Sequence, residues 1–198
     1  MLKNIAVLVS GGGTNLQSII DATEAGEING QIKVVISNKE NAYGLERARK
    51  HNIEAVFEND EKKVIEILKE KEIDIVVMAG YLKIISADFV NEFKNRMINI
   101  HPSLIPSFCG KGYYGKKVHQ GVLDYGAKVT GATVHFVTEG ADEGPIIMQE
   151  SVKVEQDDDA DTLAARVLKV EHQILKKSVA LLCDDKVRVN GRRVYINE

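Results

Sequence analysis

The chain has 198 residues, 44% hydrophobic and 28% charged, enough for one α/β domain with a sizeable core. A net charge of −3 argues against partners held by bulk positive charge, such as nucleic acid or an anionic membrane. Two cysteines, Cys109 and Cys183, are too few for a disulfide framework and too isolated for a zinc site, which suits a reduced, cytoplasmic setting.

Lys3 to Val9 is a mostly apolar run that is too short to span a membrane and is followed by no small-residue cleavage pattern; it reads as a buried strand. Ser10-Gly11-Gly12-Gly13 ends it. Thr14 to Ala25 then places Leu16, Ile19, Ile20 and Ala22 at helical spacing. A second strand is expected at Ile32 to Ile36, a helix at Tyr43 to Lys50, a short strand at Glu54 to Phe57 and a helix at Lys62 to Lys71. Ile73 to Ala79 reads as a fourth strand, Ala87 to Phe93 as a helix, and Met97 to Ile100 as a fifth apolar strand. This alternation predicts a Rossmann-like α/β fold, an open, mostly parallel twisted sheet with helices on both faces. Lys128 to Val137 and Ile146 to Val154 read as longer, antiparallel strands in the C-terminal half. A helix from Ala160 to Cys183 follows, led by three aspartates that suit its positive end, and VRVNGRRVYI reads as a hairpin turning at Asn190-Gly191. One domain over 1–198 is expected, with a phosphate-binding half (1–100) and a catalytic half (101–198).

SGGGTN, between the first strand and helix, suits an anion, because glycines admit close backbone approach and a helix N-terminus offers free N–H groups. The bland alternative is a tight turn capped by Thr14 or Asn15. A dinucleotide fingerprint fails, since Leu16 occupies the third glycine position and no carboxylate follows strand two at Ser37-Asn38. A P-loop fails for want of a lysine. A monophosphate on a small substrate remains.

In NIHPSLIP, Asn99 interrupts the fifth strand and His101 stands at its end, where ligands sit in open α/β sheets. Polar groups there cost free energy unless they are used. His101 can relay a proton near neutral pH, and the Asn99 amide can hold a developing oxyanion. A carboxylate partner would orient the imidazole; Asp142 in GADEGPI is the candidate, with Glu143 beside it as a competitor. The alternative for His101 is a histidine that is merely hydrogen-bonded. His51 and His119 read as surface-helix residues, while His135 faces either core or cleft. No HExxH, Cys/His cluster or GxSxG elbow is present, so metal hydrolysis and serine chemistry lack support.

SGGGTNLQSII, NKENAYGLERAR, AGYLKII, INIHPSLIPSF, GATVHFVTEGADEGPII and ARVLKVEH together resemble the phosphoribosylglycinamide formyltransferases over nearly the whole chain. The resemblance implies formyl transfer from 10-formyltetrahydrofolate, as co-substrate, to the amine of phosphoribosylglycinamide, with neither metal nor nicotinamide. It implies that Asn99 and His101 stabilise the tetrahedral intermediate, His101 also moving the proton, and that Asp142 raises the pKa of His101. Gly13, Thr14 and Asn15 match the family's phosphate binders, and Glu171 a carboxylate holding the glycinamide end. Leu82, Lys83, Ile84 and Ile85 match a segment whose backbone reads the pterin, beside Asn99. The expected partners are these small molecules, for a monomer or homodimer.

Two departures stand out. The family's arginine after strand three is missing from ENDEKKVIEI, so Lys62 or Lys63 substitutes or the contact is absent, and Cys109 replaces a lysine or proline. The nearest alternatives are a methionyl-tRNA formyltransferase or a formyltetrahydrofolate hydrolase. Both usually carry an added domain, and neither is expected of a chain running from a strand at Lys3 to Glu198. A non-catalytic nucleotide-binding module would leave Asn99, His101 and Asp142 unused.

Overall fold

The computed structural model describes residues 2–197. The first five strands alternate with helices: β1 (Lys3–Val9), α1 (Thr14–Glu24), β2 (Gly30–Ser37), α2 (Tyr43–Lys50), β3 (Glu54–Phe57), α3 (Glu61–Glu70), β4 (Ile75–Met78), α4 (Ala87–Glu92) and β5 (Met97–His101). Then come α5 (Lys116–Tyr125), β6 (Val129–Phe136), β7 (Ile146–Lys153), the long α6 (Ala160–Cys183) and a hairpin of β8 (Val187–Asn190) and β9 (Arg193–Ile196). Seven strands make one sheet in the order β3-β2-β1-β4-β5-β6-β7. β1 to β5 are mutually parallel, whereas β6 runs antiparallel to β5 and β7 antiparallel to β6. The expected fold class is therefore observed.

The reason for the two-sided architecture is visible within β1. Ile5, Val7 and Val9 enter one apolar core, and Ala6 and Leu8 enter the other. Side chains alternate across a strand, so a continuous apolar run serves both faces. Leu16, Ile19 and Ile20 of α1, Leu45 and Ala48 of α2, and Leu163, Val167 and Leu175 of α6 cover the first face. Val64 and Leu68 of α3, with Phe89 of α4, cover the second. Each fully buried aliphatic side chain here stabilises by about 1.5–3 kcal/mol.

Three local expectations are corrected. No helix span is expected over α5, whose apolar positions are only Val118, Val122 and Leu123 with Gly121 among them. That glycine lets the Tyr113 ring approach: a Cβ would sit 2.8 Å from it. His119 is consequently buried on α5 rather than a surface residue. In the hairpin Asn190 pairs with Arg193, so the turn is Gly191-Arg192 rather than Asn190-Gly191. Gly191 alone of the two has positive φ, the sign pattern of a type II′ turn.

Candidate active site at the carboxyl ends of the parallel strands

The strand order reverses direction between β1 and β4, the place where open α/β sheets bind ligands. Ser10, just past β1, closes this region locally. Its amide donates to the Gly80 carbonyl (3.0 Å), its hydroxyl to Asn38 Oδ1 (2.6 Å), and the Leu82 amide donates to that hydroxyl (2.9 Å). The loops after β1, β2 and β4 are thereby tied together. β5 lies beside β4, with Asn99 in register with Met78. The glycine loop and Asn99 are thus two strand spacings apart, about 10 Å, a span that a small phosphorylated substrate can bridge.

The glycine loop caps α1 with Gly13 rather than with Thr14 or Asn15. Gly13 has φ 69°, and no side chain accepts a hydrogen bond from the first helical amides. A Cβ on Gly13 would lie 2.8 Å from Gly44 Cα, so this glycine serves the close approach of α2. A Cβ added to Gly11 or Gly12 would meet nothing within 4 Å, so the loop is open on its outer side. Arg47 braces the loop from α2, donating from Nε to the Gly12 carbonyl (2.7 Å) and from Nη1 to Gln17 Oε1 (3.1 Å). A cleft of about 450 Å³ runs from Ser10, Gly11 and Gly12 to Lys39 and Tyr43. The Asn15 side chain points elsewhere: its Nδ2 donates to Glu171 Oε2 (2.8 Å) on α6, within the protein. Burial pushes the Glu171 carboxyl above its ordinary range, and the Asn15 bond only partly opposes it. Asn15 Oδ1 is buried without a partner.

At the end of β5, Asn99 and His101 share one face because they are two residues apart on a strand. Asn99 lies opposite His135 of β6, and Thr133 opposite His101. His135 donates from Nδ1 to the Phe136 carbonyl (2.8 Å), so its Nε2 accepts from Asn99 Nδ2 (3.2 Å). That bond sets the orientation of the Asn99 amide and leaves its second N–H free. His135 therefore faces the site.

Asp142, in the loop between β6 and β7, meets both histidines. Its Oδ2 is 3.5 Å from His101 Nδ1 and its Oδ1 is 3.6 Å from His135 Nε2. The Gly110 amide donates to Asp142 Oδ2 at 2.8 Å. Glu143 is exposed and takes no part in this cluster, which decides between the adjacent carboxylates. Asp142 has φ 58°, a conformation in which aspartate is among the better-tolerated residues. Its pKa lies below the ordinary value: burial raises it, and the neighbouring His135 and His101 rings and the Gly110 amide outweigh that.

His101 is almost wholly buried, and its Nε2 donates to the Phe108 carbonyl at 2.9 Å. Both ring nitrogens thus face acceptors, an arrangement suited to the imidazolium. Burial nonetheless sets the net direction. The pKa is below its ordinary value, because desolvation outweighs the upward push of Asp142 and Phe108, and His135 adds a smaller downward one. Asp142 therefore acts on His101 as expected but does not win. The loop from Pro102 to Ser107 is held by Thr133, whose hydroxyl donates to the Ser103 carbonyl (2.6 Å) and accepts from the Ile105 amide (3.1 Å). Gln149 joins it from β7, donating to the Ile105 carbonyl and to Thr133 Oγ1, both at 2.9 Å.

Leu82 and Ile84 project into solvent after β4, while Ile85 packs on the second core. Lys83 is engaged with Asn59, donating to its carbonyl and side-chain oxygens. Lys62 and Lys63 are exposed at the start of α3, where Glu61 instead accepts from Ser86. Cys109 Sγ lies 3.3 Å from the Pro106 carbonyl, and burial, then Asp142 and Glu143, push its pKa up. Sequence reasoning missed Thr133, Gln149 and the backbone of Phe108 and Gly110. None had a local signal, since a carbonyl or amide gains a role only from what the fold places against it.

The chain belongs to the formyl transferase family, which matches residues 3–179. It is similar to the phosphoribosylglycinamide formyltransferase of Escherichia coli, with 37% identity covering 98% of this chain and 93% of that one. The chloroplastic phosphoribosylglycinamide formyltransferase of Vigna unguiculata is 42% identical over 93% of this chain, which spans 62% of that relative's length. The crystal structure of glycinamide ribonucleotide transformylase 1 from Symbiobacterium toebii superposes with a TM-score of 0.94 at 39% identity, covering all of this chain and 95% of that one.

Proposed function

We propose that the protein transfers the formyl group of 10-formyltetrahydrofolate to the amine of 5′-phosphoribosylglycinamide, in purine biosynthesis. The observation that carries this reading is the cluster of Asn99, His101 and Asp142 next to an open glycine loop, in a chain of the formyl transferase family. The substrate phosphate would sit on the α1 N-terminus at Gly13, Thr14 and Asn15, through backbone amides, since the Asn15 side chain is engaged by Glu171. Glu171 would hold the glycinamide end through the carboxylate oxygen that Asn15 does not engage. The backbone of Leu82 to Ile85 would read the pterin, with Asn99 bordering both ligands.

In the proposed reaction the neutral amine attacks the formyl carbon, and the carbonyl oxygen becomes an oxyanion. The free N–H of Asn99 and the protonated His101 stabilise that oxygen. Protonated His101, with Asp142 assisting, gives its proton to N10 of the folate and takes up in its place the proton lost by the amine. The bond from carbon to N10 then breaks, giving tetrahydrofolate and the formylated amide. This is acyl transfer between two nitrogens, and it calls on neither metal nor nicotinamide. A cytoplasmic setting belongs to the same proposal and is supported by the two free thiols, Cys109 and Cys183.

The test is a spectrophotometric assay of the purified protein with 10-formyl-5,8-dideazafolate and glycinamide ribonucleotide, with His101→Ala alongside. Turnover that requires the amine and collapses in the variant supports the reading. Release of deformylated folate without the amine points to a hydrolase. A folded protein inert under both conditions overturns the assignment.

A further inference from the structure

The segment Phe108-Cys109-Gly110 holds the His101–Asp142 pair from both ends. The Phe108 carbonyl accepts from His101 Nε2 at 2.9 Å, and two residues later the Gly110 amide donates to Asp142 Oδ2 at 2.8 Å. These are backbone contacts, so their precision depends on what fixes the segment. Phe108 adopts φ 49°, unusual for a bulky residue, so packing must hold it there. Its ring meets Tyr113 and Tyr125 edge-on, with centroids 6.0 and 5.8 Å away. α5 approaches this cluster at Gly121, where a Cβ would lie 2.8 Å from the Tyr113 ring and 3.6 Å from the Phe108 ring. Edge-to-face aromatic pairs of this kind add stabilisation beyond their buried area.

We propose that Phe108 is a positioning residue for the reaction: its ring, wedged against Tyr113 and Tyr125, sets its carbonyl on His101 Nε2 and Gly110 on Asp142, fixing the orientation and the tautomer of the imidazole. Neutral His101 has one ring proton and two competing acceptors. The Phe108 carbonyl is at hydrogen-bond distance, whereas Asp142 at 3.5 Å is beyond it. The proton therefore resides on Nε2 while the bracket is in place. Without it, the carboxylate becomes the better acceptor and draws the proton to Nδ1. The ring is then drawn towards Asp142 and leaves the orientation that the bracket fixes. A displacement near 1 Å of a catalytic group lowers the rate by about 10²-fold.

That His101 is the reacting group rests on the function proposed above, but its tautomer is read without substrate, so the two ideas fail separately. ¹⁵N-edited NMR of the His101 ring, above its titration, reports which nitrogen carries the proton. The wild-type protein is expected to show Nε2–H. Phe108→Ala should shift to Nδ1–H and lower kcat by about 10²-fold while leaving both KM values within about twofold. Phe108→Leu, which keeps an apolar wedge, should recover much of both. Tyr113→Ala removes one wall at an exposed position and gives a milder shift in the same direction, serving as the test if Phe108→Ala does not fold. A wild-type ring protonated on Nδ1 overturns the proposal. So does a Phe108→Ala or Tyr113→Ala protein that keeps the Nε2–H signal.

Discussion

Asp142 separates two demands at the level of single residues. It must stay ionised to support a protonated His101, and it must sit close enough to do so. Its lowered pKa meets the first and its distance of 3.5 Å the second. Asp142→Asn keeps the backbone, since asparagine also tolerates φ 58°, but removes the charge. The largest force on His101, burial, is then less opposed, and its pKa falls further. Because the protonated ring stabilises the oxyanion, the alkaline limb of the kcat profile should move to lower pH, with kcat down by about 10²-fold. Unmoved pH and rate profiles would remove Asp142 from the mechanism. Cys109 makes the opposite point. Its raised pKa leaves less thiolate at pH 7 than a free cysteine has, so alkylation by iodoacetamide should be slower than that of a free thiol. The departure at this position then alters packing rather than adding a nucleophile.

Among the elements, the β6–β7 loop carries Asp142 and depends on one glycine. A Cβ on Gly144 would lie 1.6 Å from the Phe136 carbonyl, beside the bond from the Phe136 amide to the Pro145 carbonyl. Gly144→Ala must displace this backbone, and should cost activity and several degrees of Tm together. α6 offers a contrast far from the chemistry. Asp159 accepts from the amides of Asp161 (3.0 Å) and Thr162 (2.8 Å), while Thr162 Oγ1 accepts from the Asp159 amide (2.9 Å), completing a capping box. Asp159→Ala should lower unfolding free energy in urea by about 1 kcal/mol with turnover unchanged. A loss of activity there would mean that the α6 N-terminus communicates with Glu171, three turns on.

For the whole molecule, buried histidines set the acid stability. Burial lowers the pKa of His101, His119 and His172, so below their ordinary 6.5 the unfolded chain binds more protons than the folded one. Stability should therefore rise with pH through the window below 6.5. Glu171 has the reverse sign: its raised pKa makes the folded state bind the extra proton above 4.5, so its contribution falls as pH rises there. The three histidines therefore predict a positive slope of unfolding free energy as pH rises towards 6.5, with Glu171 opposing it. His119→Gln should flatten that slope, and an unchanged slope would show that His119 does not titrate with unfolding. Asp158, paired with Arg166 through 2.6 and 2.7 Å bonds and held to about 2, contributes stability that is lost only as pH falls from its ordinary 3.8 towards 2.

Across these scales, the parts legible in the sequence are those whose signal is periodic or local. The apolar run of β1 implies a strand covered on both faces, because alternate side chains need two cores. The boundaries of α2 and α6 follow from helical spacing, and Asn99 and His101 announce themselves as polar residues where an apolar strand ends. The span of α5 was illegible because two valines, a leucine and a glycine make too weak a stripe, and His119, read as a surface-helix residue, is buried. The choice of Asp142 over Glu143, the orientation of Asn99 by His135, and the use of Asn15 on Glu171 were decided only by tertiary structure. Each depends on which groups from distant segments arrive within a few ångströms of one another, and hydrogen bonds form only at such range. The direction of the His101 pKa belongs with them. A sequence names the carboxylate that would raise it, but the desolvation that outweighs that carboxylate exists only once the chain has closed around the ring.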